Sequence, residues 1–263
     1  MTEQAPFENP LRRAWLDGKQ TVNGWLAIPS SVSAEVMAHQ GWDSLTFDMQ
    51  HGLIDYTDTL PMLAAISTTP TVTMARLPWL EESIIMRMLD AGCHGIICPM
   101  VNNAEDAKRL VNACRYQPEG IRSFGPIRTS IYEGPDYYKT ANQEVLSLAM
   151  IETKAALENL EEILDVEGLS GIYIGPADLS MALGCTPKFD QEEQPVVDAI
   201  EKIIATAKSK QKWVGIHNLT PAYALRMTDL GANFVTIASD MRFISAGAEE
   251  AIKEFRQGLA QNQ

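Results

Sequence analysis

Short apolar segments rich in β-branched residues alternate along the chain with longer amphipathic segments. Apolar segments of this length, bounded by glycine or polar residues, are typical of strands in a parallel sheet that is covered on both faces. Eight strands are predicted, at Val22–Ile28, Ser44–Asp48, Thr71–Ala75, Gly95–Cys98, Leu146–Ile151, Gly171–Gly175, Trp213–Ile216 and Phe234–Ala238.

The segments between these strands have helical periodicity. Ser33–Gln40, Leu80–Asp90 and Ala104–Tyr116 are amphipathic and carry capping signals. The motifs AHQGWDSL, LDAGCHGII and TDLGANFVTI each place a glycine between the end of a helix and the next strand. Eight strands that alternate with helices favour a (β/α)8 TIM barrel over a doubly wound sheet.

The barrel is predicted to take up residues 1–263 as a single domain. Residues 1–10 are predicted to form an irregular N-terminal arm, and Ala246–Gln257 a final helix with a frayed tail. Two segments interrupt the alternation: residues 117–144, rich in Gly, Pro, Arg and Tyr, and the shorter segment 184–195. Long loops in compact barrels are commonly functional, so residues 117–144 are expected to act as an active-site lid.

Composition excludes several functional classes. The net charge of −13 disfavours binding to nucleic acid or to an anionic membrane. The N-terminus lacks the basic and apolar regions of a signal peptide, and no apolar run approaches the ~18 residues that span a bilayer. The four cysteines form no CxxC pair and no zinc-like spacing, so we expect buried thiols in a cytoplasmic protein.

Polar side chains follow several of the predicted strands. In a barrel of this kind, reactive groups lie just past the carboxyl ends of the strands. The candidates at these positions are Asp48, His51, Arg76, Glu152, Asp178 and Asp240.

Glu152 and Asp178 follow neighbouring apolar runs, in LAMIET and IYIGPAD. Two carboxylates that face each other repel unless a proton or a cation lies between them. Carboxylate oxygens, with water and substrate in the remaining positions, suit Mg²⁺ or Mn²⁺. The alternative is that these positions serve only as helix N-caps, because Thr153 and Asp178 both precede helical stretches.

Arg76 ends a buried strand, where a guanidinium without a partner is costly. Its planar fork suits the carboxylate of a substrate, although an internal salt bridge with one of the acids is an alternative. His51 can move a proton near neutral pH, or it can be a structural histidine. None of the predicted strands contains a lysine for imine chemistry, and no GxGxxG or Walker motif occurs.

The motifs FDMQHG, MARLPW, DAGCHGIICPMVNNAEDAKRLV, YQPEGIRSFGP, MIETKAALENLEEIL and IYIGPADLSMALG together resemble the HpcH/HpaI family of metal-dependent pyruvate aldolases. The resemblance runs in order from about Trp25 to Phe255. It implies a lyase that reversibly cleaves 4-hydroxy-2-oxo acids, such as 4-hydroxy-2-oxoheptanedioate or 2-keto-3-deoxy sugar acids. The products are pyruvate and an aldehyde, formed through an enolate that a divalent metal ion (Mg²⁺, Mn²⁺ or Co²⁺) stabilises.

The resemblance also implies roles for individual residues. Glu152 and Asp178 resemble the two protein ligands of the metal ion. Arg76 resembles the arginine that polarises the pyruvyl oxygen, and the backbone at Ala177 and Asp178 would hold the pyruvate carboxylate. His51 matches the catalytic histidine of the family, and Trp25 matches a tryptophan that lines the site.

The resemblance further implies an oligomer, because hexamers with an exchanged C-terminal helix are usual in the family. Asp90 matches an aspartate that reaches a neighbouring subunit's site and partners its histidine, although alone it would be an exposed surface acid. Asp48 and Gln50 are expected to support the metal site from behind without binding the ion. Met150 and Gln50 stand where relatives carry glutamine and glutamate, and both changes reduce polarity or charge near the metal.

Arg122 and Arg128, in segment 117–144, are candidates for binding a second carboxylate on the aldehyde half, with a plain loop role as the alternative. Two other functions remain open on the same barrel. One is a malyl-CoA or citryl-type acyl-CoA lyase, although the chain shows no basic patch for the phosphates of CoA. The other is a non-catalytic protein that only binds an oxo acid.

Overall fold

A computed structural model describes residues 6–261 of the chain. Eight parallel strands pair in sequence order, and the last pairs with the first to close a barrel. The predicted (β/α)8 architecture is therefore confirmed. The strands are β1 Thr21–Leu26, β2 Ser44–Asp48, β3 Val72–Arg76, β4 Gly95–Cys98, β5 Leu146–Ile151, β6 Gly171–Ile174, β7 Trp213–Asn218 and β8 Phe234–Ile237.

Strand register decides which polar residues become neighbours at the carboxyl ends. Asp48 pairs with Arg76 across β2 and β3. Ile151 pairs with Ile174 across β5 and β6, so the next residues on each strand, Glu152 and Gly175, leave the barrel side by side. Pairs of this kind are fixed by barrel closure and cannot be read from sequence spacing.

Helices surround the barrel and also fill several connections. They are α1 Pro10–Leu16, α2 Ser31–Ala38, α3 Tyr56–Ile66, α4 Glu82–Ala91, α5 Ala104–Cys114, α6 Thr129–Glu133, α7 Tyr138–Glu144, α8 Lys154–Glu158, α9 Leu160–Leu164, α10 Pro176–Ala182, α11 Gln194–Ser209, α12 Pro221–Leu230 and α13 Asp240–Gln261. The glycine ends predicted for α4 and α12 are present, at left-handed Gly92 and Gly231.

Helix α1 closes the amino end of the barrel. Its Leu11 and Trp15 are buried, and the Trp15 ring lies 5.2 Å from the ring of Trp213 and 5.4 Å from that of Phe234. The buried Asn9 caps α1, and its amide also donates to the carbonyls of His94 and Glu144. The expected irregular arm lies partly outside the described residues. Within them, residues 6–9 have no regular structure but are anchored, and Pro10 already begins a helix.

Helix α13 begins soon after β8 and runs for 22 residues, so the predicted helix at Ala246–Gln257 is too short at both ends. After the buried Asp240, every described residue of the helix is exposed. Several of these side chains are large and apolar, among them Ile244, Ile252 and Phe255. Such a helix leaves an apolar surface without cover within one chain.

Segment 117–144 lies at the other end of the barrel from the one expected. It follows α5, whose C-terminus points toward the amino ends of the strands, and it folds into α6 and α7. Arg122 is fully buried, donates to Asp90 at 2.7 Å and to the Tyr137 hydroxyl at 3.2 Å, and lies over the ring of Tyr116. Arg128 donates to the carbonyl of Ala91.

The prediction of a lid over this chain's own site is therefore wrong. The composition of the segment is unusual, but composition does not indicate on which end of the barrel a loop lies. Because the segment follows a helix, it lies at the amino ends of the strands. Arg122 and Arg128 bind groups of their own chain there, which supports the plain loop role.

Cys93, Cys98 and Cys114 are buried free thiols, as expected, and Cys185 is half-buried. Among residues 6–261, no helix is long and apolar enough to span a membrane.

Candidate active site

A cavity of about 220 Å³ opens at the carboxyl ends of the strands. Six of the residues predicted from the sequence line it: Trp25, Asp48, His51, Arg76, Ala177 and Asp178. A cavity of similar volume, about 250 Å³, lies at the amino end beside Thr73 and His94, and of the candidate residues named from the sequence its wall contains Arg128 alone. Position at the strand ends therefore identifies the first cavity as the candidate site.

Asp48 and Arg76 form an ion pair at the edge of this cavity. Arg76 donates from Nε at 3.0 Å and from Nη2 at 2.6 Å, both to Oδ1 of Asp48. Burial alone would raise the pKa of Asp48, but the charge and hydrogen bonds of Arg76 outweigh burial and hold this pKa below its ordinary value. Asp48 therefore stays ionised and fixes the guanidinium. This pair is the internal salt bridge that the sequence left open as an alternative for Arg76.

The same aspartate organises the turn that carries His51. Oδ1 of Asp48 also accepts the backbone N–H groups of Gln50 and His51, each at 3.1 Å. Gly52 is required next, because a Cβ there would lie 2.3 Å from the carbonyl oxygen of Asp48. The imidazole of His51 is left exposed at the rim of the cavity. Asp48 thus holds the backbone of the histidine and not its ring.

Glu152 is buried just past β5. Its Oε1 accepts the N–H of Met100 at 2.7 Å, and Met100 adopts a left-handed backbone (φ 56°) to present that group. Burial raises the pKa of Glu152 to about 6, and the charge of Asp178 adds to the rise. The two acids are therefore close enough to repel, as the sequence predicted.

Gly175 provides the space beside this carboxylate. A Cβ at Gly175 would lie 2.6 Å from Oε2 of Glu152 and 3.0 Å from Cε of Met150. Asp178 follows in the first turn of α10, where Gly175 is the N-cap and no side-chain capping bond forms. Thr153 is an N-cap, since its hydroxyl accepts from the N–H of Ala156. Capping therefore explains Thr153 but neither of the two acids.

The donor set fits a hard divalent cation. It offers carboxylate oxygens, one acid is desolvated with a raised pKa, and Oε2 of Glu152 faces the space left by Gly175. Within residues 6–261, no group of three or more His, Cys, Asp and Glu side chains surrounds a common point. Two carboxylates would leave the remaining positions of such a cation to water and substrate.

Comparison with known proteins identifies the family. The family model described as HpcH/HpaI aldolase/citrate lyase matches residues 23–246. The chain belongs to the HpcH/HpaI family. It is 41% identical to a hydroxypyruvate/pyruvate aldolase of Rhizorhabdus wittichii, over 94% of this chain and 99% of the relative. It is 37% identical to a 4-hydroxy-2-oxo-heptane-1,7-dioate aldolase of Shigella flexneri, over 95% and 94% of the two chains.

Among solved structures, an HpcH/HpaI aldolase/citrate lyase family protein from Burkholderia cenocepacia superposes with a TM-score of 0.87. It is 28% identical to this chain, and the match covers 94% of this chain and 99% of that one. The resemblance proposed from the sequence motifs is thus confirmed over nearly the same residues.

Some predicted residues of this HpcH/HpaI chain lie outside the cavity. Asp90 is in α4 and pairs with Arg122, so a single chain does not bring it to His51. Asp240, the first residue of α13, joins this helix to the segment that follows β1. Its carboxylate accepts the N–H groups of Ala27 and Ile28. Oε1 of Gln50 is buried and finds no hydrogen-bond partner among the described residues.

The cavity residues of the HpcH/HpaI chain that sequence reasoning missed include Tyr173, Phe189 and His217. Tyr173 and His217 both lie within strands, and although Tyr173 belongs to the motif IYIGPADLSMALG, its side chain was not selected from the sequence. His217 could have been predicted, because it lies near the end of the seventh strand. Polar residues at the ends of the other strands were selected by the same rule. Phe189 belongs to segment 184–195, which was correctly flagged as unusual.

The departure at Met150 also has a structural consequence for this member of the HpcH/HpaI family. Met150 is buried, and its methyl group lies at the wall of the cavity beside Gly175. An apolar side chain there gives no hydrogen bond to a ligand or to water near the two acids.

Proposed function

We propose that this chain is an aldolase that reversibly cleaves 4-hydroxy-2-oxo acids to pyruvate and an aldehyde. The observation that carries the proposal is that the Asp48–Arg76 pair and Asp178 line one cavity, with the carboxylate of Glu152 directly behind Gly175 in its wall. Its relatives at 37–41% identity are named as aldolases for hydroxypyruvate or pyruvate and for 4-hydroxy-2-oxo-heptane-1,7-dioate.

Glu152 and Asp178 would hold a divalent cation, Mg²⁺, Mn²⁺ or Co²⁺. A cation between the two carboxylates would offset their mutual repulsion. When bound, the cation supplies a Lewis acid for the 2-oxo group of the substrate.

Arg76 stabilises the negative charge that develops during cleavage. Asp48 accepts from its Nε and Nη2, so Nη1 is available to the oxygen of the 2-oxo group. A preformed, fixed donor of this kind needs no reorganisation as the enolate forms, which is the source of its catalytic effect. The guanidinium also lies 5.0 Å from the centre of the Trp25 ring, which limits its movement.

The backbone N–H groups of Ala177 and Asp178 would hold the pyruvate carboxylate. Both belong to the first turn of α10, where N–H groups have no partner within the helix. The buried ring of Trp25 also lines the cavity and would keep the reacting atoms away from bulk water.

His51 is the proposed proton-transfer group. In the cleavage direction it accepts the proton of the C4 hydroxyl while the C3–C4 bond breaks, and its exposed imidazole can then return a proton to C3 of the enolate. Asp90 of a neighbouring subunit would orient this ring, because Asp90 of the same chain lies beside Arg122 at the other end of the barrel.

This arrangement requires an oligomer, and the exposed apolar side chains of α13 support one with an exchanged C-terminal helix. The expected hexamer should be visible as a solution mass several times that of the 29.0 kDa chain. Mixed oligomers of His51→Ala and Asp90→Ala subunits should recover activity that neither variant has alone. Mixing that restores nothing would contradict the shared site.

The activity itself is tested with a panel of aldehydes and pyruvate, with chelator and then with each of the three metals. Cleavage of malyl-CoA in parallel tests the acyl-CoA lyase alternative. Exchange of the pyruvate methyl protons with solvent deuterium separates an aldolase from a protein that only binds oxo acids. Full exchange in chelated protein would rule out the metal role, and full exchange by Arg76→Ala would rule out the role of the arginine.

A further inference from the structure

His217 lies in the wall of the candidate active site, and the mechanism above gives it no role. It projects from β7 and lines the cavity. Its ring meets the Trp25 ring edge-on, with centroids 4.9 Å apart, and lies 4.6 Å from the ring of Phe189. A polar ring in an aromatic wall requires an account of each of its two nitrogens.

The first nitrogen is accounted for inside the barrel. The hydroxyl of Tyr173 donates to Oγ1 of Thr236 at 2.6 Å, so its oxygen is left as an acceptor. Nδ1 of His217 lies 3.4 Å from this oxygen. The matching tautomer carries its hydrogen on Nδ1 and a lone pair on Nε2.

The second nitrogen is left to the cavity. Nε2 forms no hydrogen bond with any residue in the range 6–261, and it is not among the side-chain atoms sealed from solvent there. Burial lowers the pKa of His217 to about 3, and the charge of Arg76 acts in the same direction. The ring is therefore neutral at physiological pH, and Nε2 acts as an acceptor without exchanging protons.

We propose that Nε2 of His217 accepts a hydrogen bond from a hydroxyl group of the substrate, so that the cavity selects hydroxylated substrates over those with a methyl group in the same place. The proposal rests on the aldolase function proposed above and assigns to it a specificity-determining residue. Two sources of the hydroxyl are compatible with the chemistry: a 2-hydroxyaldehyde, or a 3-hydroxy-2-oxo acid in place of pyruvate.

The physical basis is the cost of leaving Nε2 without a donor. Water can serve this nitrogen in the free enzyme, but a substrate methyl group displaces the water and gives nothing in return. The neighbouring ring of Phe189 has no donor that could replace the water. Discrimination arises from this loss and from the bond gained by the hydroxyl.

The experiment compares matched substrate pairs of nearly equal size. With pyruvate as the donor, kcat/KM is measured for glycolaldehyde and for propionaldehyde. With one fixed aldehyde, kcat/KM is measured for hydroxypyruvate and for 2-oxobutyrate. The wild-type enzyme should prefer the hydroxyl member of one pair by about fivefold or more, the scale of one neutral hydrogen bond, and that pair identifies the source.

His217→Leu should reduce this preference to near one, because it removes the acceptor and keeps an apolar side chain. His217→Gln can place a carbonyl oxygen near the position of Nε2 and should retain most of the preference. Tyr173→Phe removes the oxygen that fixes the tautomer and should lower the same ratio. A preference that is equal in the wild type, His217→Leu and Tyr173→Phe would overturn the proposal, as would a wild type that shows none in either pair.

Deuterium exchange at the methyl group of pyruvate distinguishes a failure of the His217 proposal from a failure of the aldolase function on which it rests. A wild type that exchanges but shows no hydroxyl preference refutes the role of His217 and leaves the aldolase intact. A wild type that neither exchanges nor cleaves refutes both.

Discussion

Replacing Glu152 with glutamine removes a buried titrating carboxyl group and keeps its size and one acceptor oxygen. In the folded chain, burial and the Asp178 charge raise the pKa of Glu152 from 4.5 to about 6. The folded state therefore binds this proton more tightly than the unfolded state does. Stability is highest below pH 4.5 with respect to this group and falls as pH rises through the folded pKa.

This rise in the pKa of Glu152 corresponds to about 2 kcal/mol of unfolding free energy, of which about 1 kcal/mol is lost between pH 5 and pH 8. The group is only 2% exposed, so solvent screening removes little of this amount. Urea unfolding of metal-free protein at both pH values should show the loss in the wild type. Glu152→Gln should show a pH dependence smaller by that amount.

Binding of a divalent cation provides a second test of the raised pKa of Glu152. A ligand that binds only the folded state stabilises it by about 2.7 kcal/mol at a hundred times its dissociation constant. Mn²⁺ should therefore stabilise the wild type at pH 8 and much less at pH 5, where protons compete for Glu152. If the metal-free wild type and Glu152→Gln have the same pH dependence, the account of repelling acids is incorrect.

Three further changes test the packing around the site. Gly175→Ala places a Cβ 2.6 Å from Oε2 of Glu152, so Mn²⁺ affinity measured by calorimetry should fall by about tenfold or more. Asp48→Asn leaves the charge of Arg76, whose side chain is only 11% exposed, without its partner and should lower the free energy of unfolding by about 3 kcal/mol in urea titrations. Trp15→Ala empties the amino end of the barrel and should lower that free energy by about 4 kcal/mol.

For each of these three substitutions, one experimental result would contradict the reasoning. Gly247→Ala adds the same methyl group where nothing lies within 4 Å, so it should leave Mn²⁺ affinity unaltered, and an equal loss in both variants would contradict the steric argument. Asp48→Asn with wild-type stability would show that the carboxylate charge contributes nothing to Arg76. A loss below about 1 kcal/mol for Trp15→Ala would mean that water or another side chain fills the site.

Local periodicity was sufficient to predict the barrel, because each strand is an apolar segment that needs no partner to be recognised. Strand ends were also sufficient to select Asp48, Arg76, Glu152 and Asp178, since topology places all such ends on one face. What periodicity could not supply was pairing across strands. The bond from Arg76 to Asp48 depends on the register of β2 and β3.

The failures have the same origin. Helix α1 is seven residues long and holds Pro10 and two arginines, so its pattern is weak without the barrel end that buries Leu11 and Trp15. His217 gained its significance only when closure brought Tyr173 beside it. Residues 117–144 were judged by composition, although their place after a helix had already determined the face on which they lie.

The side chains of α1 also affect the order of events in the proposed reaction. Because Leu11 and Trp15 block the amino end, the cavity has its exit at the carboxyl face. In the proposed arrangement, an oxo acid held at the strand ends would enter before the aldehyde and leave after it through the same opening. A molecule whose floor is sealed in this way is expected to follow ordered kinetics, with the aldehyde as the last substrate to arrive and the first product to depart.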